Sequence, residues 1–220
     1  MPSPFLMQTA LRERAFKHTK EALKKAITPD HFIIKIIHTI DELEGIINTL
    51  VTILRERYGV YAPHLVRNAT AEEVIAIITA KKTDDLGISI NAEDYTAIQA
   101  LAEETTRLLA VQKNNTAYLT RMMEQQCPHL QNITGTIIGA RLLNLAGSLN
   151  HLAALPSSTI QLLGAEKALF RHLRTGAKAP RFGILFAHEN ITKAAEKDRG
   201  KTARKLANKI AIAAKQDYYQ

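Results

Sequence analysis

Hydrophobic residues recur in steps of three and four over two long stretches of the chain, residues 33–54 and 98–126. This spacing predicts two long α-helices, each carrying the seam of a coiled coil. An antiparallel hairpin within one chain is favoured over a parallel dimer of each helix, because the two matched seams can cover each other. The predicted seam residues are Ile33, Ile36, Ile40, Leu43, Ile47, Leu50, Leu54, Ile98, Leu101, Leu108, Leu119 and Met122.

An apolar row lies beside the first seam, and the second seam contains two polar residues. On the first helix, Ile37, Ile46 and Ile53 form a flanking row, which predicts that this helix packs against more than one partner. On the second helix, Gln112 and Asn115 place polar groups on the seam, where they fix the register or mark a place where the hairpin opens.

The segment between the two long helices has clear helix signals of its own. Thr70-Ala71-Glu72-Glu73 is a capping box, and a short helix is predicted from Glu72 to Lys82. Asn91 is the predicted N-cap of the second long helix. The insert therefore lies at the tip of the hairpin, where it either caps the coil or serves as a docking surface.

A compact helical region is predicted after Cys127-Pro128, because proline disfavours helical geometry in the residue before it. We predict helices at 133–145 and 165–175, a turn or short helix at 149–155, and a helix capped by Ser157 or Ser158 that carries Ile160, Leu162 and Leu163. The segment 182–186 is too short and too apolar for its period to define its structure, and a buried extended strip is one interpretation. A last helix runs from about 192 or 199 to 215. The predicted fold class is all-α, with a peripheral helix at 1–29, a two-helix coiled-coil arm at 30–127 and a globular helical domain at 128–220.

The composition narrows the class of protein. A chain of 220 residues with 46% hydrophobic content can bury a core, and its one cysteine excludes an internal disulfide. No run approaches 18 uninterrupted apolar residues, and the first ten residues lack a basic region followed by an apolar block. We therefore expect a cytoplasmic protein that neither spans a membrane nor carries a Sec-type signal.

The net charge of +8 is concentrated near the carboxyl end. Residues 1–163 contain 16 basic and 16 acidic side chains, whereas residues 164–220 contain 13 and 5. A neutral body with a basic end is typical of a scaffold that presents a cationic face to a polyanion. On charge alone, a lysine-rich helix that aids solubility is an equally good interpretation.

Two sets of basic residues follow helical spacing, which places each set on one helix face. On spacing alone, a solvated helix face is the favoured interpretation of the first set, with an ion pair to Glu166 or a neighbouring residue, and it fits the second set as well. The other interpretation of both sets is contact with phosphate, with small residues at Gly164 and Ala165 that leave room for a backbone to approach. The candidate phosphate contacts are Lys167, Arg171 and Arg174 in the first set and Lys201, Arg204, Lys205 and Lys209 in the second.

His188 follows a short apolar strip and has two interpretations. It stacks on a base or donates to a phosphate, or it is a core histidine with one satisfied nitrogen.

No pattern in the chain indicates catalysis. The eight histidines are scattered without zinc-ligand spacing, and phosphate-loop, nucleophile-elbow and dinucleotide-binding motifs are missing. Cys127 precedes a proline and has no base near it in sequence. We therefore predict a protein that is not an enzyme and that uses no metal and no cofactor.

The carboxyl-terminal half contains a series of distinctive stretches, among them Gly164-Ala165-Glu166-Lys167-Ala168-Leu169-Phe170. The others are 135–149, 152–163, 182–188, 200–209 and 213–217. Together they resemble the Nop domain, the binding module of box C/D guide ribonucleoprotein scaffolds and of a pre-mRNA splicing factor, and the stretch 164–170 is similar to the guide-ribonucleoprotein branch. Upstream, Asp41-Glu42-Leu43 and the segment 54–59 are similar to the start of the family's coiled-coil domain.

The resemblance implies a fold and a function. In the family, the coiled coil mediates homodimerisation, and the Nop domain binds a kink-turn RNA together with the small ribosomal-type protein that is bound to this RNA. The assembly supports 2′-O-methylation of ribosomal RNA by fibrillarin. We therefore expect a box C/D-type RNA with a kink-turn, the small protein and a second copy of the chain as partners.

The chain departs from the family pattern at three places. Arg57 stands where the family commonly has tryptophan, and the segment 61–65 follows the usual pattern only loosely. Only about 30 residues precede the coiled coil, so the domain that holds fibrillarin is expected to be absent. A fragment and a naturally shortened homologue both fit, and recruitment of fibrillarin stays open.

The predicted function is an RNA-binding scaffold of a box C/D guide ribonucleoprotein. The alternative is a coiled-coil oligomerisation or adaptor protein whose basic end binds acidic protein surfaces.

Overall fold

A computed structural model describes the backbone of residues 4–220 and the side chains of residues 11–24 and 27–220. This range contains helices and loops but no strand, so the all-α prediction is confirmed. None of the described helices is long and apolar enough to cross a membrane. The α-helices are α1 (Pro4–Ala26), α2 (Pro29–Tyr58), α3 (Pro63–Val66), α4 (Ala71–Thr79), α5 (Ala92–Gln126), α6 (Pro128–Thr134), α7 (Thr136–Ala146), α8 (Leu149–Ala154), α9 (Ser157–Leu162), α10 (Glu166–Thr175), α11 (Glu189–Thr192) and α12 (Arg199–Tyr219), with a 3₁₀ turn at Ile184–Ala187.

The chain divides into two compact units. The central unit contains residues 36–125, and the flanking unit combines the described residues up to 35 with residues 126–220. The peripheral amino-terminal helix is α1, and its first three predicted residues lie outside the described part of the chain. All described side chains of α1 from residue 11 to residue 24 are exposed.

Both long helices and the insert contribute to a buried core of the central unit. The insert helix α4 packs Val74 and Ile78 into the same core as the two long helices, so the insert closes one end of this core. The buried members of the core are Ile47, Val51, Leu54 and Tyr58 of α2, Tyr61, Ala62 and Val66 of the following loop and α3, Val74 and Ile78 of α4, and Ile98 and Ala102 of α5.

Burial along α2 follows the predicted three-four spacing but is centred beside the predicted seam. Ile36, Leu43 and Leu50 are only half-buried, whereas their neighbours Ile37 and Val51 are buried. Ile33, Ile40, Ile47 and Leu54 are buried as expected.

Two of the three residues of the predicted flanking row are exposed, Ile46 at 49% and Ile53 at 38%, so packing of this row against a further partner stays a prediction. The second helix shows the same offset: Leu101, Leu108 and Met122 are half-buried, and Ile98 and Leu119 are buried. An antiparallel coiled coil stays a prediction.

The helix signals of the insert are confirmed. Glu73 donates its backbone N–H to Thr70 Oγ1 at 3.3 Å, and the Thr70 N–H donates to the Glu73 carboxylate at 2.6 Å. Asn91 Oδ1 accepts from the Asp94 N–H at 2.8 Å. The short helix ends at Thr79, earlier than predicted, because Lys81 adopts a left-handed conformation with φ of 50°.

The flanking unit corrects three local predictions. The helix predicted at 133–145 is two helices, α6 and α7, separated by Gly135 with φ of 73°. The strip at 182–186 is not extended, because residues 184–187 form a 3₁₀ turn that buries Leu185 and exposes Phe186.

The third correction concerns the predicted serine caps. Neither Ser157 nor Ser158 caps α9, which begins after Pro156 without a side-chain cap. The capping serine is Ser148 instead, because its Oγ accepts from the His151 N–H at 3.1 Å at the start of α8.

The core of the flanking unit is built around α12. This helix contacts α6, α8 and α9 through its buried side, which consists largely of alanines. Small side chains let neighbouring helices approach closely, which fixes the orientation of α12. The buried α12 residues are Ala203, Leu206, Ala207, Ile210, Ala213, Ala214 and Asp217.

Candidate nucleic-acid interface

Helix α10 carries the first predicted set of cations on one exposed side. Its boundaries match the sequence signals, with Glu166 in the first turn and Gly176 as the left-handed C-cap at φ of 68°. Lys167, Arg171 and Arg174 are all exposed, and their spacing places them on one face. Within the described residues, no carboxylate lies in salt-bridge range of these three cations.

The acidic residue nearest this face has another role. Glu166 Oε1 accepts a hydrogen bond from the Gly164 N–H at 2.7 Å and closes the turn before α10. Gly164 adopts φ of 84°, a conformation that favours glycine. The carboxylate is therefore engaged with backbone, and the ion pair considered from the sequence does not form.

Two large apolar side chains accompany the α10 cations. Phe170 is 62% exposed and Leu173 is 68% exposed, and their i, i+3 spacing places them together beside the cationic face. No residue of α10 is fully buried. The spacing of charges alone does not reveal this pair, although the amphipathic period of α10 contains the signal. A surface with both cations and large apolar groups suits a partner that combines phosphate with protein.

The second set of cations lies on the solvent side of α12. Lys201, Arg204, Lys205 and Lys209 are exposed, and the alanine-rich side of the helix faces the core. None of these four side chains has a carboxylate partner among the described residues. The core contacts of α12 therefore direct this row of charge towards solvent.

His188 is held by backbone on both sides of its ring. Nε2 donates to the Ile133 carbonyl at 3.0 Å, and Nδ1 accepts from the Asn190 N–H at 3.2 Å, where it caps α11. These opposite roles assign the neutral ring with its proton on Nε2. His188 thus joins α6 to the start of α11, and an RNA contact would have to replace one of these bonds.

A stack of aromatic rings and an arginine lies near the start of α12. The rings of Phe182 and Phe186 are parallel within 9°, with centroids 4.9 Å apart, and the Arg199 guanidinium lies 5.8 Å from the Phe186 centroid. Phe186 is 43% exposed. The role of Arg199 was not predicted, because an extended core strip at 182–186 would leave no exposed ring beside it.

The part of the chain that the structure describes shows no cluster of three or more His, Cys, Asp or Glu side chains that could hold a metal ion. Cys127 is buried, and burial raises the pKa of its thiol to about 12, with a further contribution from the carboxylates of Asp217 and Asp30. Its thiol therefore stays protonated and unreactive at neutral pH.

Comparison with known proteins identifies the chain. A family model for the Nop domain, described as "snoRNA binding domain, fibrillarin", matches residues 66–220. The chain belongs to the Nop family. The predicted resemblance is therefore confirmed, and the match includes α4 and α5 as well as the whole region from α6 onward.

Nop-family relatives cover nearly the whole chain. An uncharacterized NOP5 family protein of Methanocaldococcus jannaschii is 36% identical over 91% of this chain and 55% of its own length. Nucleolar protein 56 of Homo sapiens is 35% identical over 86% of this chain and 37% of its own length. The chain thus spans about half or less of the length of these relatives.

A solved structure has a similar fold. A chain in a crystal structure of a fibrillarin/Nop5p complex matches with a TM-score of 0.57 and 25% identity, covering 97% of this chain and 71% of that chain.

Proposed function

We propose that this chain is an RNA-binding scaffold of a box C/D guide ribonucleoprotein. It recognises a kink-turn RNA together with the small ribosomal-type protein bound to it, and supports methylation and processing of ribosomal RNA. The observation that carries the proposal is the surface of α10, where three exposed cations without carboxylate partners adjoin the exposed Phe170 and Leu173. The family description as a snoRNA binding domain supports the RNA part of the proposal.

The chemistry of α10 supports a composite target. Kink-turn RNA offers a dense phosphate backbone, which flexible cationic side chains recognise by charge. RNA phosphates do not cover Phe170 and Leu173, whereas an apolar patch on a bound protein does. We therefore propose that the cations contact RNA and that the apolar pair contacts the small protein. The cations of α12 form a second phosphate contact on the same scaffold.

We also propose that the chain self-associates through its long helices. On α2, Ile46 and Ile53 are exposed seven residues apart, and Thr39 extends the row by one more step towards the start of the helix. Val60, in the turn that follows α2, is also exposed. This heptad row lies beside the buried stripe and is not used by the core of the central unit. A second copy of the chain can cover it with the same row, which would join two ribonucleoproteins.

A gel shift tests the RNA proposal directly. The chain is titrated into a kink-turn RNA with and without the small kink-turn-binding protein. We expect a shifted complex of all three components and weak binding when the small protein is left out. Failure to shift at low salt in both cases would contradict the proposal and favour the adaptor alternative. Adding fibrillarin to the assembled complex tests whether this chain recruits the methyltransferase.

Matched variants connect the gel shift to the surface. Lys167→Ala/Arg171→Ala/Arg174→Ala removes the α10 cations, and Arg12→Ala/Lys17→Ala/Lys20→Ala removes three exposed cations of α1 as a control. With K the association constant for the RNA complex, the α10 variant should lower the magnitude of the slope of log K against log[salt] by about two units. Each lost phosphate contact lowers this slope by roughly 0.7–0.9. The control should leave it within half a unit.

A further inference from the structure

The α10 cations lie on a loop that leaves the core and returns to it at neighbouring points. Between Gly164 and Pro180, the segment carries Lys167, Arg171, Arg174 and Lys178, and its one acidic residue is Glu166. Its helix buries no side chain completely, so packing against the core holds α10 only weakly. The orientation of the cations must therefore depend on how the two ends of the loop are attached.

Three hydrogen bonds join the two ends of this loop, and we refer to them as the clamp. Gln161 Nε2 donates to the Arg181 carbonyl at 2.6 Å. The Gly183 N–H donates to the Gln161 carbonyl at 2.9 Å, and the Ile184 N–H donates to the Leu163 carbonyl at 2.8 Å. The chain before α10 thus pairs with the chain after it.

The clamp is anchored in the core on both sides. Ile160 and Leu163 are buried just before the loop, and Leu185 is buried just after it. Gly183 permits the close approach, because a Cβ there would lie 1.8 Å from the Leu163 carbonyl oxygen. The loop itself is closed locally, by Glu166 at the start of α10 and by the His172 ring, which donates to the Ala177 carbonyl, after its end.

We propose that Gln161 and Gly183 are positioning residues, which set the direction of the α10 cations without touching RNA. This inference rests on the proposed RNA-binding function. A preorganised loop binds more tightly than a flexible one, because it loses less conformational entropy when it binds its target. Opening the clamp removes none of the α10 cations from the chain, but it lets the helix that carries them change direction.

Gln161→Met tests this role, because methionine keeps the length of the side chain and removes only its N–H donor. We expect about three- to tenfold weaker binding to the complex of kink-turn RNA and small protein, as for one lost hydrogen bond. The slope of log K against log[salt] should fall in magnitude by about one unit, because cations that no longer meet RNA phosphates do not displace the counterions bound to them. Thr159→Ala, at an exposed position on the same helix α9, is the control and should bind normally.

A double-mutant cycle separates positioning from a general loss of stability. In the background of Lys167→Ala/Arg171→Ala/Arg174→Ala, Gln161→Met should weaken binding no further, since the cations that it positions are gone. Gly183→Ala should show the same pattern with a larger effect. Amide hydrogen exchange at Gly183 and Ile184 should accelerate in Gln161→Met, while the melting temperature stays close to that of the parent.

Each outcome of the cycle has a distinct meaning. Equal losses in both backgrounds, or normal binding by Gln161→Met, would overturn the positioning role. Normal binding by the α10 triple variant would instead overturn the proposed RNA contact of α10. The two failures are therefore distinguishable in one set of titrations.

Discussion

Asp217, near the end of α12, holds the start of α6 through His129. The Asp217 carboxylate accepts hydrogen bonds from the backbone N–H groups of His129 and Leu130 at 2.9 and 2.8 Å, and His129 Nδ1 donates to it at 2.8 Å. Its side chain is completely buried. This carboxylate satisfies the free amides at the amino-terminal end of α6 and connects residues 88 positions apart in the chain.

The first prediction concerns this connection. Asp217→Ala should lower the free energy of unfolding by about 2–4 kcal/mol, because it leaves two buried N–H groups without an acceptor. Urea denaturation followed by circular dichroism measures the loss. Lys215→Ala, two residues earlier at an exposed position on the opposite side of α12, is the control and should change stability by less than about 0.5 kcal/mol. Equal stability of the two variants would contradict the role of Asp217.

The second prediction concerns acid stability. Burial raises the pKa of Asp30, but hydrogen bonds from Thr28 Oγ1 and the Leu149 N–H, together with His31, outweigh it and hold the pKa below its ordinary value. A carboxyl with a lowered pKa stabilises the folded state above its unfolded pKa of about 4, and this contribution is lost as the pH falls through the folded value.

Urea denaturation between pH 7 and pH 3 checks this contribution. Asp30→Asn should lower stability at pH 7, and the difference from the parent should shrink as the pH falls below about 4. A difference that is constant over the whole range would show that ionisation of Asp30 has no part in it.

The third prediction concerns Cys127. Because burial raises the pKa of its thiol to about 12, alkylation by iodoacetamide at pH 8 should be about a thousandfold slower than for an unfolded thiol. Mass spectrometry of a time course in buffer and in concentrated urea measures both rates. Fast alkylation in buffer, with the fold intact by circular dichroism, would contradict the burial of Cys127.

The fourth prediction concerns self-association through the heptad row on α2. Ile46→Lys should weaken the dimer at least about tenfold, because it places a charge where apolar surface is to be covered. Sedimentation velocity over a range of concentrations measures the dimer fraction. Asn48→Lys, at an exposed position on the other side of α2, is the control and should dimerise like the parent.

Local signals in the sequence determined several elements correctly, because their physical cause lies within a few residues. The Thr70–Glu73 capping box, the Asn91 cap and the C-cap at Gly176 each depend on short-range hydrogen bonds or on a glycine conformation. The long helices follow from apolar periods that extend over many turns. The cations of α10 and α12 were selected from their spacing together with the family resemblance, and their contacts with RNA stay a prediction.

Tertiary structure decided which side of each helix is covered and how the carboxyl-terminal segments connect. Ile36 and Ile37 are adjacent and equally apolar, yet only Ile37 is fully buried, because burial depends on where a neighbouring helix lies. The clamp between Gln161 and Gly183 joins segments about 20 residues apart, which no periodic pattern reports. The sequence by itself thus determined the helices and their charge, whereas packing between distant segments decided how those charges are presented.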